Sequence, residues 1–141
     1  MSRFSGLLKH SVPHAEQTLE RFYEELRGLV NDVNRAIEEE QEGLAELKLE
    51  SMTEQLQGGI FRLAIEDRQG RGMRRVIIDF LTGAEGYPIK MVVPGSTRVL
   101  DKAEDSSELE AYFGSMLRAA DSPIVTFLAF LRRNRRGATS G

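Results

Sequence analysis

Apolar residues return along the first third of the chain in an alternation of threes and fours. One set of positions is Leu19, Leu26, Val33, Glu40 and Leu47; the interleaved set is Tyr23, Val30, Ile37 and Leu44. This spacing keeps one apolar stripe on one side of a helix. The pattern predicts a helix from about Pro13 to Glu50, capped by Ser11 and started by Pro13. Such a helix is roughly 55 Å long at 1.5 Å per residue. That is more than a small domain needs for its own core, so the surplus calls for a partner helix. The same helix of a second copy is the most economical partner, with a seam of Leu19, Tyr23, Leu26, Val30, Val33 and Ile37. Glu40, inside the run Glu38-Glu39-Glu40, marks where the coiled part ends and the helix turns to its own domain.

Gly58-Gly59 closes the helical region, and the period then changes to two. Phe61, Leu63 and Ile65 alternate with Arg62, Ala64 and Glu66, as in a half-buried strand. Asp67 to Gly72 reads as a hairpin connection. A second strand covers Arg74 to Leu81, with Val76, Ile78 and Phe80 on one face and Ile77 and Leu81 on the other, which predicts a central strand covered on both sides. Tyr87 to Val93 gives a third strand, and Arg98-Val99-Leu100 a short edge strand. Helical spacing returns with Leu109, Tyr112, Phe113, Met116, Leu117 and Ala120, behind a capping box of Ser107 and Glu110. Ser122-Pro123 caps and starts a last helix, whose apolar face is Ile124, Val125, Phe127, Leu128 and Leu131. Arginines 132, 133, 135 and 136 suit its negative end, and Gly137 closes it.

Composition changes this picture little. At 141 residues the chain holds one compact domain plus an appendage. Zero cysteine excludes disulfides, thiolate metal sites and a cysteine nucleophile. No apolar run reaches the length of a membrane span, and Met1 to Lys9 lacks the apolar core of a signal peptide, so the expected compartment is the cytoplasm. The net charge of −3 is unevenly spread, with an acidic segment through Gln57 and a mildly basic remainder.

Candidate chemistry is sparse. His10 and His14 have the spacing of a helical metal pair, but a helix starting at Pro13 separates their faces, and no third ligand is evident. Gly70-Arg71-Gly72 lies between strands and lacks the helix a dinucleotide fingerprint needs. Arg68, Arg71, Arg74 and Arg75 cluster at the hairpin without interleaved aromatics, which argues against nucleic acid. Asp79, inside an apolar strand, has no nucleophile or second carboxylate at a useful spacing, so a structural pairing with a nearby arginine is expected.

The residues Gly58 to Leu63, Val76 to Phe80, Tyr87-Pro88, and Leu109 to Leu131 with Ser122-Pro123-Ile124 between two helices together resemble the RWD domain, the non-catalytic relative of ubiquitin-conjugating enzymes. The match spans about Gly58 to Arg133. It departs at Val92, where the family has a second proline, and no cysteine follows the meander, so conjugating chemistry does not carry over. The resemblance implies a binding platform, and its joining to a long helix is similar to the dimeric scaffolds of that group. Acidic dimeric chaperones of type III secretion are a second comparison, being of like size and mixed helix and strand.

The expected fold is therefore α+β: a long N-terminal helix over residues 1–57, a three- or four-stranded antiparallel sheet and two covering helices over 58–136, and a disordered tail over 137–141. The expected function is a non-enzymatic, homodimeric adaptor with no cofactor or metal. It would pair with itself through the helix and bind another protein through a surface including Arg68, Arg71, Arg74, Arg75, Tyr87 and Pro88. The alternatives are a secretion-type chaperone, or a small enzyme or ligand-binding domain with a pocket between sheet and helices.

Overall fold

The computed structural model describes residues 4–55, 58–69, 72–83 and 86–139. Helix α1 spans Ser5–Gln41. It starts well before Pro13, which sits inside it, and the residue before the helix is Phe4 rather than a capping Ser11. Pro13 removes only one intrahelical bond, and the turns on either side carry the helix past it. The end also differs from expectation. Glu42 (φ 56) and Gly43 (φ 64) both take the left-handed conformation, and Gly43 donates its N–H to the Ile37 carbonyl. That termination is the usual use of a glycine after a helix. Residues 44–55 are thus not helical, and the expected arm over residues 1–57 divides into α1 and a strand.

Five strands follow: β1 (Ala45–Gln55), β2 (Gly58–Asp67), β3 (Arg74–Gly83), β4 (Gly86–Val92) and β5 (Val99–Ala103). They form one antiparallel meander in sequence order. The sheet therefore has five strands, not three or four, and β1 is the addition. Its sequence alternates Leu47 and Leu49 with Glu46, Lys48 and Glu50, the period of a strand. A shift in register between Leu63 and Ala64 pairs Ile78 with Leu63 but Val76 with Ala64. Val76 and Ile78 consequently point to opposite faces, which simple alternation did not give.

Helices α2 (Ser106–Arg118) and α3 (Pro123–Thr139) are two legs of one bent helix. The α2 cap is Asp105, whose side chain accepts from the Glu108 N–H, while Glu108 accepts from the Glu104 N–H. The expected capping box of Ser107 and Glu110 does not form, since both lie inside α2; Asp105 caps two residues earlier, and Glu108 reaches back to the residue before the cap. Ser122 and Pro123 break and restart the helix as expected, with Ser122 Oγ accepting from the Val125 N–H and donating to the Met116 carbonyl. α3 continues past Gly137 to Thr139.

All three helices lie on one face of the sheet. Phe61 and Phe80 are cross-strand neighbours on that face; Phe22 of α1 meets the ring of Phe61 at 5.8 Å, and Phe113 of α2 stacks on Phe80 at 5.9 Å. Beneath α1 lie Leu26, Val30, Val33 and Ile37, all buried within this single chain. Four of the six residues expected at an interchain seam are thus part of the protein's own core. The short turn at Glu42-Gly43 returns the chain directly under its own helix, where the apolar strand residues need cover.

Candidate functional site

The turn at the β3–β4 end of the sheet sets where α1 leaves the body. Gly86 (φ 84) lies against α1, close enough that an added Cβ would come within 3.4 Å of Thr18 Cγ2. Next to it the ring of Tyr87 meets Phe22 edge-on at 5.7 Å, and its hydroxyl donates to Glu25 Oε1 at 2.8 Å. Burial, and then the carboxylate of Glu25, push the Tyr87 hydroxyl well above its ordinary value. Tyr87, joined to Pro88 by a cis peptide bond, therefore anchors α1 to the sheet. Residues of α1 before Thr18 project past this end.

On that overhang Leu7, Leu8 and Val12 are 63%, 61% and 57% exposed. Leu8, Val12, Ala15 and Leu19 each precede Leu26, Val30, Val33 and Ile37 by about five helical turns, so the two quartets share one face. The stripe that packs on the sheet continues in phase onto a segment with no sheet beneath it. Leu19, half-buried, marks the transition, and half-buried Tyr23 rests on Phe61 with ring centres 5.3 Å apart.

At the other end of α1 an open cleft of about 460 Å³ runs between α1 and α3. Val33, Ala36 and Ile37 form one side, Leu117, Val125 and Leu128 the other, and the polar rim is Glu40, Gln41 and Arg132. Arg132 donates to Gln41, and Arg135 pairs with Glu42 at 2.8 Å. The cleft lies among the helices rather than between helices and sheet, where the core is filled by Leu26, Leu63, Phe80 and Leu109.

The outer sheet face mixes charged side chains with Ala64, Val76, Leu81 and Val92. Asp79, 4% exposed, accepts from Arg62 Nε and Nη2 at 2.9 and 3.1 Å and from the Gly95 N–H at 3.0 Å. Desolvation alone would raise its carboxyl, but the bonds from Arg62 and Gly95 outweigh burial and hold it below its ordinary value. This is the structural arginine pairing that the sequence led us to expect, and it closes the β4–β5 loop over the sheet. Arg74 joins Glu50 and Glu66 at 2.6 and 2.9 Å on the same face. Arg75 instead points to the helical side and donates to Thr126 Oγ1. Arg68 is near Gly43, Arg71 lies outside the described residues, and Tyr87-Pro88 is at the opposite end of the sheet. The residues expected to form one partner surface are therefore on separate surfaces.

Because α1 starts at Ser5, His10 and His14 do share a helical face, contrary to expectation; both are exposed. No group of three or more metal-ligating side chains converges among the described residues, and no described helix is long and apolar enough to cross a membrane. Sequence reasoning missed the overhang because its apolar residues precede Pro13, where the helix was expected to start. The five-turn repeat between Leu8 and Leu26 was the signal that could have found it. The chain matches no family model, no curated protein and no solved structure.

Proposed function

We propose that this chain is a non-enzymatic adaptor that assembles as a homodimer through the first third of α1 and presents its α+β body to another protein. One observation carries the reading: the apolar stripe of α1 outruns its own sheet, leaving Leu8 and Val12 in water on a helix held rigidly by Gly86 and Tyr87. Exposed apolar surface in register with a core stripe is surface awaiting a partner. The resemblance to RWD domains joined to a long helix supports the same reading. The interface moves from the expected seam at Leu26 to Ile37 onto the overhang from Leu8 to Leu19. The mixed-charge outer face, with Arg62, Arg74 and Glu66, is left for a partner protein.

Sedimentation velocity on the parent and on a Leu8→Glu/Val12→Glu variant tests the reading. The parent sediments as a dimer, and the variant as a monomer with an unchanged far-UV circular dichroism spectrum, because neither residue supports the fold. A parent that stays monomeric at high micromolar concentration overturns it.

A further inference from the structure

We infer that the overhang of α1 seats in the cleft between α1 and α3 of a second copy, each copy giving its arm and receiving the other's. This rests on the dimer reading above and specifies the contact. The two surfaces match in chemistry. The arm brings Leu8, Val12, Ala15 and Leu19, spaced as the quartet that already packs on the sheet. The cleft offers Leu117, Val125 and Leu128, with Ala36 and Ala129 facing across it as small residues that admit a helix closely.

Charge supplies direction. Residues 5–15 contain Lys9 and no carboxylate, whereas the α1 side of the cleft carries Glu40, with Glu38 and Glu39 adjoining it and Arg132 on the facing α3 rim; the three carboxylates are exposed and without a salt bridge among the described residues. Lys9 meets Glu40 when the arm runs antiparallel to the partner's α1. The same orientation places the arm's positive N-terminal end beside the negative C-terminal turn of α1, whose last turn carries no basic residue. A reciprocal antiparallel exchange is compatible with a two-fold axis, so that the contact is made twice and closes on itself.

The absence of cysteine makes the test clean. Full-length Leu8→Cys and Leu128→Cys proteins are mixed and oxidised, with each alone as a control. The expected product is a disulfide heterodimer in the mixture, exceeding tenfold the yield of either protein alone. Predominant crosslinking of Leu8→Cys with itself means that the arms pair with each other; the inference fails and the dimer reading stands. A monomer in sedimentation with no crosslink removes both. As a second measurement, Lys9→Glu and Glu40→Lys each weaken the dimer about two- to thirtyfold, the range of two exposed ion pairs because the contact is made twice, and together restore it. Additive losses in the double variant overturn the antiparallel placement.

Discussion

Replacing Arg62 by methionine isolates what the buried carboxylate of Asp79 needs. The change keeps most of the aliphatic stem and removes the guanidinium. In the parent, Arg62 supplies two of the three hydrogen bonds on Asp79 and Gly95 supplies the third. Breaking a buried pair by removing one partner costs about 3–5 kcal/mol. Here the Arg62 side chain is 23% exposed and the Gly95 bond survives, so screening and the remaining donor bring the expected loss to about 2–3 kcal/mol. Urea unfolding followed by circular dichroism at pH 7 measures it.

Acidification gives the same reasoning a sign. In the parent the folded carboxyl lies below its ordinary value of 3.8. Its contribution is therefore fully present above that value and is lost as the pH falls through the folded value. In Arg62→Met the burial cost of the charge is balanced by Gly95 alone, so the folded value rises and protonation relieves the variant. The stability gap between parent and variant should narrow on going from pH 7 to below 3.8. A loss under about 0.5 kcal/mol at pH 7, the size of an ordinary surface change, would refute the pairing. So would a gap that widens with acid.

Two further changes probe how α1 is held. Asn34 accepts from the Leu47 N–H at 2.6 Å and donates to its carbonyl at 3.1 Å, satisfying the outward groups of edge strand β1. Asn34→Ala should lower stability by about 1–3 kcal/mol in urea unfolding, and by exposing a strand edge should promote aggregation, seen as light scattering. Tyr87→Phe keeps the ring against Phe22 but loses the bond to Glu25. It should cost about 1–2 kcal/mol and remove a tyrosine that titrates above the ordinary 10.0 in an alkaline absorbance scan.

What the sequence disclosed was local, and what it hid was relational. Alternation at Phe61, Leu63 and Ile65 marks β2 because the strand's own residues carry the period, and Ser122-Pro123 restarts a helix by chemistry contained in the dipeptide. The end of α1 was harder to read because Leu47 satisfies two periods at once. It continues the seven-residue repeat of Leu26, Val33 and Glu40, and with Leu49 it also alternates with Glu46 and Lys48. Only the left-handed pair Glu42-Gly43 separates the two readings. The Asp79–Arg62 fork depends on register, since Arg62 is directly opposite Asp79 only once β2 and β3 have paired. Spacing along the chain carries no trace of it.

The long stripe on α1 shows why a heptad pattern alone identifies a surface but not its owner. Burying Leu26, Val30, Val33 and Ile37 takes about three turns of helix, well within the length of strand that lies beneath them. A helix serving only this sheet has no physical use for Leu8 and Val12, and water disfavours each by roughly 1.5–3 kcal/mol relative to burial. Two copies of one quartet on one helix therefore have two different destinations. The inner quartet is satisfied within the chain because the turn at Gly43 brings the sheet under it. The outer quartet has no strand below it among the described residues, and the proposed dimer is what would bury it. Because Gly86 and Tyr87 hold the helix at the boundary between the quartets, the proposed assembly would cover the outer one without disturbing the inner one.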